Sequence, residues 1–86
     1  MPYIVKDVIK ITKNSSIVAV DDRMQEIKIG MYLDGFVIKS LKRNDENDLV
    51  DLYIKDTKKQ IDYKINDLVE ILTEEEYKKE SGSKEE

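Results

Sequence analysis

The chain has 86 residues, neither cysteine nor histidine, and 15 basic against 19 acidic side chains for a formal charge of −4. That length bounds it to one domain with a modest core. The missing residue types exclude disulfides, thiol nucleophiles, zinc–thiolate sites and histidine-based acid–base catalysis.

Residues 3–12 open the chain with a β-branched run. Alternation places Tyr3, Val5, Ile9 and Ile11 on one face, with Asp7 as the exception. Lys6, Lys10 and Thr12 take the other face with Ile4 and Val8. An inward Asp7 is the one carboxylate set for a shifted pKa, unless a bulge or register shift turns it outward. Lys13, Asn14 and Ser15 are turn chemistry. Residues 16–21 then form an apolar second strand paired back on the first. Asp21, Asp22 and Arg23 read as loop or bulge.

Ile27 and Ile29 share a face across Lys28, and Gly30 ends that run. Glycine tolerates the positive φ of a tight turn at little cost. Asp34 and Gly35 before an apolar run signal a hairpin or bulge, with the next strand over 35–41. Residues 42–48 form a charged loop. In 49–55, Val50, Leu52 and Ile54 alternate inward. A turn at 56–60 leads to 61–65, where Ile61, Tyr63 and Ile65 alternate with Asp62 and Lys64. Residues 66–67 turn again, and 68–72 is the closing strand. Thr73 and Glu76 make a capping box. The helix it starts runs through 79 and is too short to persist without packing. Residues 81–86 hold no apolar side chain and are expected to be disordered.

Short strands at roughly 8–12-residue spacing predict an all-β fold. Closure into a small barrel is the economical way to hide strand edges. The expected architecture is a closed or partly open antiparallel β-barrel of roughly five to seven strands over 1–73, then a frayed helix and acidic tail over 74–86. From Glu74 onward six acids face three lysines, so the tail carries −3 of the charge. The body is nearly neutral and offers no broad basic face.

Four stretches taken together carry a resemblance: Ile4-Val-Lys-Asp-Val-Ile-Lys-Ile-Thr12, Ser16-Ile-Val-Ala-Val20, Ile27-Lys-Ile-Gly-Met31 and Phe36-Val-Ile-Lys-Ser-Leu41. Over about residues 4–54 this resembles the second, β-barrel domain of translational GTPases such as elongation factor Tu. The glycines that family carries in its first turn are absent here, where Lys13, Asn14, Ser15 and Ser16 stand. No phosphate-binding G-x-x-x-x-G-K-[ST] loop is present. The resemblance implies a barrel and no nucleotide hydrolysis, and it transfers no binding residue.

No catalytic residue, cofactor or metal site is expected. Ser15, Ser16 and Ser40 lack a histidine partner. Residues 45–48 are rich in oxygen ligands but lack the EF-hand spacing, since Leu49 stands where the third ligand belongs. Asn14 begins a glycosylation triplet that reads as turn residues. Lys39, Lys42 and Arg43, with Lys58 and Lys59, are the candidate nucleic-acid contacts, and Tyr32, Phe36 and Tyr53 the stacking surfaces. Leu49 and Tyr53, if they point outward, form a patch that a protein partner or second copy could cover. An unpaired edge could also add a partner's strand. The expected role is a cytoplasmic, non-enzymatic binding module acting through protein contacts, with no membrane partner. The alternative is an RNA- or ribosome-associated accessory domain.

Overall fold

A computed structural model describes residues 2–82. The strands are β1 (Pro2–Thr12), β2 (Ser15–Asp21), β3 (Tyr32–Leu33), β4 (Phe36–Arg43), β5 (Leu49–Lys55) and β6 (Leu68–Leu72), followed by one helix, α1 (Glu74–Gly82). All neighbouring strands pair antiparallel. They close into a barrel in the order β1-β2-β5-β4-β3-β6, with β6 returning to β1. No helix among the described residues is long and apolar enough to cross a membrane.

The core follows from period-two alternation. Val50, Leu52 and Ile54 of β5 are fully buried. Val20 and Val18 of β2 lie opposite Val50 and Leu52. Val5, Ile27, Leu33, Ile38, Ile61, Val69 and Ile71 complete the cluster. β-branched residues dominate it because they suit a pleated, half-buried surface. The β3–β4 hairpin turns through Asp34 and Gly35, at φ 49° and 89°, between the paired Leu33 and Phe36. Two successive positive φ values define the type I′ turn that matches strand twist. Gly30 sits at φ 95°, and its N–H donates to the Ile38 carbonyl at 3.1 Å.

β1 departs from simple alternation. Its register against β2 slips between Val5 and Asp7 and again between Lys10 and Thr12. One extra residue exchanges the two faces of a strand. Val8 therefore packs on the core, while Ile9 and Ile11 stand outward, 57% and 50% exposed. This corrects the inward placement of Ile9 and Ile11. Asp7 is exposed and accepts from the Val8 N–H at 2.9 Å, so it is not a buried base.

Ile27 and Ile29 do not share a face. Residues 22–31 form no strand; Ile27 is buried and Ile29 is 63% exposed. Residues 61–65 also make no strand pairing, although Ile61 is buried and Tyr63 half-buried. Ile65, expected inward with them, is exposed.

The capping box forms: the Thr73 hydroxyl accepts from the Glu76 N–H at 3.1 Å, and Glu76 accepts from the Thr73 N–H at 2.9 Å. The bond from the Thr73 N–H first, and then the Thr73 hydroxyl, hold the Glu76 carboxyl below the usual carboxylate range. The helix runs past 79 to Gly82, so the disorder expected at 81–82 does not hold; the rest of that expectation, at 83–86, lies outside the described residues. What steadies a helix this short is one aromatic contact: Tyr77 stacks on Tyr32 of β3, with ring centroids 4.1 Å apart and planes 10° from parallel.

Ser16 faces the barrel interior opposite Ile54, and its hydroxyl is buried without a hydrogen-bond partner among the described residues. An orphaned buried hydroxyl costs about 1–3 kcal/mol. Ser16→Ala is therefore expected to raise stability by about 1 kcal/mol, seen as an upward shift in Tm of roughly 4–8 °C. A fall in Tm would mean that the hydroxyl is satisfied after all.

Candidate functional site

The five candidate basic residues do not form one surface. Arg43 turns toward Asp22. Its Nη1 lies 3.0 Å from Asp22 Oδ2, and its Nη2 donates to the Ile27 carbonyl at 2.6 Å. Asp22, only 4% exposed, also accepts from the N–H groups of Glu26 (3.0 Å) and Ile27 (2.9 Å). The pair clamps the 22–27 loop to the end of β4. Lys42 is exposed across from Asp51 of β5. Lys39 occupies the register slip between Ile38 and Ser40. Lys58 and Lys59 lie in the turn beyond the other end of β5, whose last residue, Lys55, is about 13 Å along the strand from Asp51, the partner of Lys42, at about 3.3 Å per residue. Their N–H groups donate to Asp56 Oδ2 at 2.8 and 2.6 Å. Those two bonds, Lys59's first, hold the Asp56 carboxyl below the usual range.

Leu49 and Tyr53 both point outward, opposite in sense to Val50, Leu52 and Ile54, and both are half-buried. They are not neighbours: Leu49 faces Asp21 at one end of β2, whereas Tyr53 faces Ile17. Ile17 in turn faces Ile9 of β1. Tyr53, Ile17 and Ile9 thus make an outward apolar row across three strands. The bulge in β1 creates it, and alternation alone gave no sign of it.

The row borders a seam. The β1–β6 ladder ends at the Ile4–Leu68 pair. Val5 extends it by two bonds, its N–H to the Asp67 carbonyl and its carbonyl to the Asn66 N–H, both 2.8 Å. The next main-chain link is Ile61 N–H to the Lys13 carbonyl at 2.8 Å. Among the described residues no backbone hydrogen bond joins 6–12 to the strip at 61–65. The strip is held from its other side instead. Tyr63 packs edge-on against Phe36 of β4, with centroids 6.5 Å apart, and donates its hydroxyl to Asp34 Oδ2 at 3.0 Å. Of the seven large apolar side chains exposed among the described residues, five border this seam: Ile4, Ile9, Ile11, Ile65 and Leu68.

Burial first, then the Asp34 carboxylate, pushes the Tyr63 phenol far above the ordinary tyrosine value. The neutral form is therefore the one that folding favours. The stability it contributes is complete below pH ~10, the unfolded value, and is lost as pH rises from there toward the folded value. Titration of phenolate absorbance, compared between wild type and Tyr63→Phe, is expected to show Tyr63 un-ionised until the protein unfolds. Ionisation of Tyr63 near pH ~10 in the folded state would contradict the Tyr63–Asp34 geometry.

At the opposite end from Lys58 and Lys59, an open cleft of about 790 Å³ is lined by Tyr3, Met24, Glu26, Met31 and Ile71 among others. Its acids are largely engaged: Asp22 with Arg43, Asp21 with Arg23 at 3.0 Å, and Glu76 in the helix cap. No group of three or more acids among the described residues is placed to hold a metal ion. In the 44–48 loop the Asn44 and Asn47 side chains accept from the N–H groups of Glu46 and Leu49. No protein-family model, curated protein or solved structure matches this chain.

Proposed function

We propose that the protein is a cytoplasmic, non-enzymatic binding module that works through protein contacts. One observation carries this reading: among the described residues, five of the seven exposed large apolar side chains gather along one seam, continuous with the Ile9–Ile17–Tyr53 row. Concentrated exposed apolar surface marks interaction sites in soluble proteins. Kinship with the translation-factor barrel goes with the second, RNA- or ribosome-associated reading. Its support is the closed six-strand barrel and the positive φ of Gly30 at the matching glycine.

The test is comparative capture. Wild type, Ile9→Glu and the control Lys42→Glu are immobilised, and retained proteins are quantified. A partner held by wild type and by the control but lost with Ile9→Glu supports the reading. Equal capture by all three, at unchanged Tm, removes it.

A second reading has one observation in its favour. Lys58 and Lys59 sit beside Lys13 at the β1–β2 turn, where Asn14 Nδ2 donates to the Lys59 carbonyl at 2.7 Å. An RNA-associated role predicts affinity for mixed-sequence RNA that falls steeply with salt and drops further in Lys58→Ala/Lys59→Ala. Salt-independent or absent binding removes it.

A further inference from the structure

We infer that α1 is a latch on the barrel. Tyr77 is its catch, Tyr32 and Gly35 are its seat, and it opens and closes while the barrel stays folded. The latch is independent of what the seam binds.

The helix has little to hold it by itself. It has 9 residues, and Tyr77 is its one aromatic or aliphatic side chain. A helix of that length is marginal in water without packing. Glu74 pairs with Lys78 four positions on, at 3.8 Å, and both side chains are exposed. Glu76 closes the cap with Thr73. These contacts lie within the helix and its cap and tie neither to the barrel. Glu80 lines the same hollow as Tyr77, with Tyr32, Asp34, Gly35 and Leu72. The apolar hold on the barrel is the Tyr77 ring. It stacks on Tyr32, and its Cε1 and Oη lie over Gly35, 3.7 Å from where a Cβ on that glycine would stand.

The seat keeps its shape without the helix. Asp34 accepts from the Glu70 N–H at 2.8 Å and from the Tyr63 hydroxyl at 3.0 Å, and its own N–H donates to the Glu70 carbonyl at 2.8 Å. Those bonds fix the Asp34–Gly35 turn. β6 is held on its other edge by β1, through the Pro2–Glu70, Tyr3–Val69 and Ile4–Leu68 pairs. Thr73 alone separates Leu72 from Glu74, so the hinge is one residue. Opening loosens the end of the β3–β6 ladder, which has only the pairs Tyr32–Leu72 and Leu33–Ile71. Leu33 and Ile71 are buried, whereas Tyr32, directly under the catch, is half-buried. The Asp34 N–H points toward β6, so by alternation the Tyr32 N–H does too and reports on that end. A segment with one apolar anchor over a rigid seat belongs to the low-stability end of a structure.

Amide hydrogen exchange of the full chain, followed by NMR in rising sub-denaturing urea, reads the latch directly. Amides of 77–80 are expected to be protected at least ~100-fold less than those of β5. Their exchange is expected to stay nearly flat with urea, because opening exposes little surface, whereas exchange in β5 rises with urea as global unfolding does. Tyr77→Ala is expected to abolish the helical Cα shifts over 74–80 and to speed exchange of the Tyr32 amide by about 3- to 10-fold, with the shifts of β5 unchanged. Tyr77→Phe keeps the ring and is expected to keep the helix.

Amides of α1 that match β5 in both protection and urea dependence overturn the inference, since α1 then unfolds only with the barrel. So does a helix that survives Tyr77→Ala, or wild-type shifts over 74–80 that are already those of coil. Unchanged exchange at Tyr32 in a Tyr77→Ala protein that has lost its helix overturns it as well, because the catch then does not bear on the β3–β6 end.

Discussion

Asp22→Ala is expected to lower the unfolding free energy by about 3–5 kcal/mol, the usual cost of removing one partner from a buried ion pair. Three groups lose their acceptor together: the Arg43 guanidinium at 3.0 Å and the N–H groups of Glu26 and Ile27 at 3.0 and 2.9 Å. Each is partly or fully shielded from water, so solvent replaces the carboxylate poorly. Small domains hold only about 5–15 kcal/mol in total, so this change alone brings the protein near the threshold of folding. Urea denaturation measures it, and an unchanged m-value shows that stability rather than compactness has moved. Replacing both partners, as in Asp22→Leu/Arg43→Met, is expected to recover only part of the loss, because no charge is then left unpaired but the Glu26 and Ile27 N–H groups still lack their acceptor. A loss below about 1 kcal/mol for Asp22→Ala would show that the carboxylate does not hold the loop.

Ile61→Ala is expected to cost about 2–5 kcal/mol, and Ile65→Ala no more than about 0.5 kcal/mol. The two residues stand at equivalent places in the same alternating stretch, yet Ile61 is 1% exposed and Ile65 is 58% exposed. Ile61 is part of the core although it belongs to no strand. Its truncation leaves a cavity that β1 and the strip cannot easily close. Thermal unfolding of the two variants side by side checks the contrast. Equal losses would place both side chains in the core.

The parts legible from sequence were those set by neighbours along the chain. Val50, Leu52 and Ile54 alternate without interruption, and β5 follows them. Asp34 and Gly35 specify their own turn, and Thr73 and Glu76 their own cap. β1 escaped because an extra residue between Val5 and Asp7 reverses the side chains that follow until the second slip after Lys10, and no residue type at either place demands a bulge. The Asp22–Arg43 clamp escaped for a different reason. Its members are 21 positions apart, and their pairing depends on the β4–β5 hairpin bringing the end of β4 back over the loop. Arg43 looked like a free cation beside Lys42 until that partner was visible. Ile61 looked like a strand residue because burial and pairing usually coincide, and in this strip they separate.

Closure of the barrel by its first and last strands has a consequence during synthesis. Ile4 meets Leu68 only after the intervening 63 residues have been made and arranged. At about 5–20 residues per second, β1 emerges seconds before the strand that will flank it. Through that interval β2 is its only available neighbour, and Ile4, Ile9 and Ile11 face the crowded surroundings of a nascent chain. Pairing over so long a loop also makes the closing step slow, on the ms–s scale of non-local β topologies. Changes that delay docking of 68–72 should therefore surface first as poor yield and aggregation, before any loss of stability in the finished barrel.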